Sequence, residues 1–217
     1  MENKNNMNPW KNVSIFIAGV IVGILLNNIN IFPTINPNIA TADLKKVQGE
    51  STAKVAIIEH SDYQCPFCKK FFDESYSQLK KDYIDTGKVA LAFVDYPLPS
   101  HPQAQAAAEA ANCVAEQNKF WEMHNLLFKN QDDWSLQDNH LATFRTYAEE
   151  LKINLTQYDD CMKSNKYRNA IKKDYEAATQ KGVTGTPTFF INGKMIVGAI
   201  DYNTLKQEIE KALAEAN

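Results

Sequence analysis

Lys54-Val55-Ala56-Ile57-Ile58-Glu59 leads through a short loop, His60 to Gln64, into Cys65-Pro66-Phe67-Cys68, and the fold is decided here. The first six residues are a short β-branched run suited to a buried strand. Pro66 stands where a first helical turn tolerates proline, and Phe67, Phe71, Phe72, Tyr76, Leu79 and Tyr83 follow at mostly helical spacing until Gly87. The reading is strand, tight turn, helix. Val89 to Val94 supplies a second strand, closed by Pro97 and Pro99.

Beyond it, residues 103–182 contain no strand pattern. Helices are expected over Ala104–Gln117, Phe120–Lys129, Leu141–Leu151, Asp159–Ser164 and Lys166–Lys181, with Ser135-Leu136-Gln137-Asp138 as a capping box that has Asp for Glu. Thr186 to Ile191 resumes the β pattern. Asn192-Gly193 is a two-residue hairpin signal leading into Met195-Ile196-Val197, and Asp201–Ala214 closes the chain as an amphipathic helix. The order is β-α-β, helical block, β-β-α, an α/β chain.

The chain has 217 residues, 44% hydrophobic and 23% charged, which excludes collagen, low complexity and wholesale disorder. A net charge of -3 with scattered Lys and Arg gives no basic stripe, so no nucleic-acid partner is expected. The N-terminal region is different in kind. Residues 1–12 are polar and expected to be cytoplasmic, and Val13 to Leu26 then carries no charge. That run is about 21 Å long as a helix, short of the roughly 30 Å of a bilayer core, but Trp10 and Phe32 bracket a longer tilted span. Residues 13–32 therefore read as an apolar helix serving as a membrane anchor or a signal segment. A buried core helix is a weaker alternative. The nearest A-x-A triplet, Ala40-Thr41-Ala42, is distant for signal cleavage, which favours the uncleaved anchor. Lys4 and Lys11 before the run place the remainder outside the cytoplasm, single-pass on the cell membrane, with a secreted or periplasmic form as the alternative. Residues 33–45 read as a tether and 46–217 as the domain.

Cys65 falls where a strand meets a helix, so its sulfur meets free backbone N–H groups and the positive end of a helix dipole, a setting that stabilises thiolate. Cys68, one turn on, can reach it to release a mixed disulfide. A C-x-x-C is also half a zinc site, but Cys113 and Cys161 stand alone without near partners, so neither metal nor organic cofactor is expected.

These residues resemble the DsbA-like branch of the thioredoxin superfamily. Ile58 to Cys68 resembles its active-site segment, Gly182 to Gly193 its second signature, and Asn118-Lys119-Phe120-Trp121-Glu122-Met123-His124 its helical insertion; the resemblance covers roughly residues 45–215. His60 departs from it, standing where the family usually has an aromatic residue. The resemblance implies a thioredoxin fold with a helical domain inserted at about residues 102–181, and a thiol–disulfide oxidoreductase acting on thiols or disulfides of exported proteins, reset by a membrane or soluble redox partner. It further implies a cis Thr186-Pro187 peptide facing the cysteines as substrate platform, and a buried acid at Glu59, which would take the proton of Cys68; an ordinary strand-end carboxylate in solvent is the alternative.

In an oxidising compartment Cys113 and Cys161 are expected to form a structural disulfide, with two buried thiols or a second redox centre as alternatives. Asp62 either tunes Cys65 or shapes the loop, and His101, His124 and His140 read as surface or core-edge residues. Phe67 offers the sulfur no hydrogen bond, which points to an intermediate potential and favours oxidase or isomerase over reductase. The rival reading is a membrane-tethered binding or chaperone module using the groove beside Pro187.

Overall fold

The computed structural model describes residues 36–40 and 42–216. The apolar N-terminal helix expected over 13–32 lies outside them, and among the described residues no helix is long and apolar enough to cross a membrane.

A five-stranded sheet in the order β1-β3-β2-β4-β5 forms the centre. β2 (Val55–Ser61) is flanked on one side by β3 (Val89–Asp95) in parallel and on the other by β4 (Thr188–Ile191) in antiparallel, with β5 (Lys194–Val197) and the two-residue β1 (Val47–Gln48) at the edges. Being central, β2 runs two residues past the expected end, because Ser61 still finds Asp95 as its partner across the ladder. Asn192 and Gly193 make the β4–β5 turn with positive φ, +45° and +88°, the conformation that Asn-Gly supplies at least cost.

The sheet has two unlike faces. Val55, Ile57 and Leu91 pack with Phe71, Leu79 and the closing helix residues Leu205 and Ile209, whereas Ala56, Ala90 and Ala92 meet Ile39. Ile39 is fully buried and Asn36 donates to the carbonyl of Ala53 at 2.8 Å, so part of the segment expected to be a tether packs onto the domain. The small side chains Ala56, Ala90 and Ala92 leave room for it on that face.

The helix after Cys65 is not uniform. It is α over α1 (Pro66–Phe71), π over Phe72–Tyr76, α again over α2 (Ser77–Leu79), and π over Lys80–Ile84. Buried Phe71 and Tyr76 are five residues apart, and the wider turn keeps both on the inner face.

The inserted block comprises α3 (Ala104–Ala115), α4 (Phe120–Lys129), α5 (Gln131–Trp134), α6 (His140–Glu150), α7 (Leu155–Lys163) and α8 (Arg168–Gln180), before α9 (Tyr202–Glu215) closes the fold. The expected capping box does not form. Ser135 ends α5 instead, donating its N–H to the Gln131 carbonyl at 2.9 Å, and α6 starts after Asn139. α7 starts four residues earlier than expected because Asn154 caps it, accepting from Gln157 N. His124 is a further correction. It is 2% exposed, ringed by Tyr63, Phe72, Tyr76, Phe93, Trp121 and Phe128, because its helix face is the apolar one.

Candidate functional site

The site forms where β2 ends. Cys65 is the N-cap of α1, with extended backbone (φ −73°, ψ 124°), and Pro66 occupies the first helical position. The cap leaves the first helical N–H groups unpaired within the helix, and those of Cys68 and Phe67 point back at the Cys65 sulfur. Cys65 is buried, 3% exposed, yet its thiol is held down at about 6. The Cys68 thiol hydrogen-bonded to it contributes most, followed by the Thr186 side chain and the two backbone N–H groups, all working against burial. Phe67 is 61% exposed at the rim.

Cys68 is fully buried one turn inside the helix, and its thiol is pushed well above the usual range by burial, then by Cys65 and by the charge of Glu59. The two sulfurs are thus tuned in opposite directions. Glu59 lies within β2, opposite Phe93 and Phe189, and is 2% exposed rather than solvated at a strand end. Burial raises its carboxyl from 4.5 to about 7, against a lowering contact from the Ser61 hydroxyl. That hydroxyl also acts to lower Cys68, but it makes no full hydrogen bond to either group.

Across the sulfur is the segment that precedes β4. The Thr186-Pro187 peptide is cis, and the Thr186 carbonyl lies 3.4 Å from Cys65 Sγ. Both cysteines are unbonded thiols. Cys65, Cys68, Glu59, Thr186 and Pro187 therefore share one place although 128 positions separate the first from the last in sequence, Glu59 to Pro187.

Several groups that hold this place have no role that the sequence assigns. Gln131, 4% exposed, donates its amide to the carbonyls of Tyr63 (2.7 Å) and Cys65 (3.0 Å), and Gln64 donates to the Ser135 carbonyl at 2.9 Å. Both reach across more than 60 residues from ordinary polar positions. Asp62 is buried and accepts from Gln64 N, Leu98 N and His101; none of the hydrogen bonds to the Cys65 sulfur comes from it. His60 is buried on the opposite side of β2, edge-on to Phe190, and burial lowers its imidazole to about 4, so the ring is neutral at ordinary pH.

Cys113 in α3 and Cys161 in α7 are joined by a disulfide within the core of the helical block. Among the described residues no group of three or more His, Cys, Asp or Glu is placed to hold a metal ion.

The family model described as thioredoxin matches residues 41–211. The chain is 31% identical to disulfide bond formation protein D of Bacillus subtilis over 77% of this chain and 76% of that protein. The crystal structure of oxidised BdbD from B. subtilis superposes with a TM-score of 0.71 at 28% identity, covering 80% of this chain and 96% of that one. A stretch of the Na(+)/H(+) antiporter NhaA 3 of Salinispora tropica is 34% identical over 80% of this chain, and there the chain spans only 26% of the relative's length.

Proposed function

The chain belongs to the DsbA-like branch of the thioredoxin superfamily, and on that premise we propose that it is a thiol–disulfide oxidoreductase acting on exported proteins, with Cys65 as the nucleophile. The observation that carries the reading is the opposite tuning of two neighbouring sulfurs, one drawn down to about 6 at a helix N-cap, the other buried and pushed up.

In the oxidising direction a substrate thiolate attacks Cys65 Sγ of the Cys65–Cys68 disulfide. Cys68 leaves with the electron pair and takes a proton from Glu59. A second substrate thiol then attacks the mixed disulfide, forming the substrate disulfide and releasing Cys65 as thiolate. A carboxyl near 7 is suited to this exchange, since it is part protonated and part ionised at neutral pH. In the reverse direction ionised Glu59 takes the Cys68 proton as that sulfur attacks. Thr186 and Pro187 serve as the platform along which an extended substrate chain lies. Stabilising the Cys65 thiolate stabilises the reduced protein, which makes the disulfide the stronger oxidant and favours oxidase or isomerase over reductase. The Cys113–Cys161 bond acts as a structural staple. Residues 13–32 hold the domain on the outer face of the cell membrane, a reading supported by their uncharged run behind Lys4 and Lys11.

Refolding of a scrambled disulfide protein tests the activity. The wild type should catalyse it and Cys65→Ser should not. Undiminished refolding by Cys65→Ser would make the protein a binding or chaperone module instead.

A further inference from the structure

The end of β2 has a neighbour on each side, because β2 lies between β3 and β4. Thr186 and Pro187, before β4, lie beside Cys65. Residues 97–103, after β3, adjoin the turn that precedes it, through Asp62 and Gln64. They contain Pro97, Pro99 and Pro102, and proline has no N–H with which a loop can brace itself. Pro99, Ser100 and Pro102 are exposed, and the stretch forms no strand or helix of its own; His101 N bonds the Leu98 carbonyl in a turn at 2.9 Å.

The loop is held from the cysteine side instead. The Asp62 side chain is fully buried; one of its oxygens accepts from Gln64 N at 2.7 Å, and the other accepts from Leu98 N at 2.8 Å and meets His101 Nδ1 at 2.7 Å. The Asp62 carbonyl accepts from Cys65 N at 3.0 Å. Gln64 adds a second tie, accepting from Gln103 N at 2.8 Å. One carboxylate thus joins the turn that ends in Cys65 to the loop after β3, and it does so without bonding the sulfur.

We propose that Asp62, with His101, is a positioning residue that fixes residues 97–103 as the second wall of the substrate groove. It governs how well an extended peptide, but not a small dithiol, reaches Cys65. The inference rests on the oxidoreductase reading above. A peptide lies along the platform and meets both walls, whereas dithiothreitol is small enough to reach the sulfur without them.

The test uses the full oxidised chain with two reductants, an extended peptide carrying two cysteines and dithiothreitol, and reads the ratio of their second-order rate constants. Asp62→Ala should lower the peptide-to-dithiothreitol ratio roughly tenfold, the scale of losing a hydrogen-bonded charged anchor. His101→Ala should lower it less, and His101→Asn, which restores a donor at the δ position, should recover it. The pH midpoint of Cys65 alkylation should stay where it is in the wild type. Should Asp62→Ala lack native circular dichroism, the two His101 variants decide, since that side chain is 21% exposed and at the surface. An unchanged ratio, equal slowing with both reductants, or a shifted alkylation midpoint overturns the proposal. A wild type that oxidises neither reductant overturns the oxidoreductase reading instead.

Discussion

The molecule holds two cysteine pairs in opposite settings. Cys65 and Cys68 are three positions apart at a strand–helix junction, with backbone N–H donors at the Cys65 sulfur and the buried Glu59 carboxyl acting by its charge on Cys68. Cys113 and Cys161 are 48 positions apart, and their bond is packed among the helices of the insertion with Val114, Phe120 and Tyr158 in the same core. Among the described residues the side-chain contact made by the sulfurs of the second pair is with a Glu116 oxygen, 4.0 Å from Cys161 Sγ, in place of the donors around Cys65. Sulfur chemistry is set by such surroundings, since thiolate is the reactive form and donors and dipoles decide how much of it exists. On the proposed reading the first pair carries the exchange, and the second ties α3 to α7.

Separating stability from turnover sharpens that contrast most. Replacing both Cys113 and Cys161 by Ala removes a link across 48 positions, for which loop-closure entropy predicts a loss of about 4 kcal/mol. Chemical denaturation should show the loss while turnover at low temperature stays near wild type. A comparable fall in turnover would make the second pair part of the redox machinery. Glu59→Gln comes next. It removes the proposed proton acceptor of Cys68, so decay of a preformed mixed disulfide should slow about a hundredfold, the usual scale of a positioned base, while Cys65 alkylation keeps its rate. Stopped-flow quenching with mass detection follows both.

The smallest effect is the pH dependence of stability. The Cys65 thiol is lower in the folded protein, about 6, than its ordinary 9.0, so its contribution is present above 9.0 and is lost as pH falls through 6. Glu59 has the opposite sign: raised from 4.5 to about 7, it contributes fully below 4.5 and loses that as pH rises through 7. Glu59 is common to both redox forms. Denaturation of the reduced and oxidised proteins at pH 5, 6, 7 and 8 should therefore show the reduced form gaining on the oxidised one with rising pH. A constant difference would mean that Cys65 is not a stabilised thiolate.

The sheet and the inserted block were legible because their signals are local. Val55 to Ile58 reads as a strand from its own side chains, Asn192-Gly193 as a turn from its own backbone preference, and Phe120–Lys129 as a helix with the bounds the structure has. What could not be read depends on contacts made across the chain. β1 is two residues held by β3, and Ser135 became a helix end because α5 forms ahead of it. Ile39 is buried by the sheet alanines Ala56, Ala90 and Ala92, 17 or more positions further along the chain. The cysteines, Thr186 and Pro187 carry motifs with a role attached; Ser61 falls inside one without a role of its own, and Gln131 falls in none. A serine in a strand and a glutamine in a four-residue helix look like any others until the fold sets them beside Cys68 and under Cys65.

Covalent trapping tests the central claim, that the two sulfurs of the CPFC turn have different jobs, most directly. Full-length Cys68→Ser and Cys65→Ser proteins are each reduced, mixed with a protein substrate that carries a disulfide, quenched with acid and mapped by mass spectrometry. Cys68→Ser should accumulate a substrate adduct on Cys65 that dithiothreitol releases, and Cys65→Ser should accumulate none. Equal adduct on Cys68 in the Cys65→Ser protein, or no adduct in either, would contradict the account.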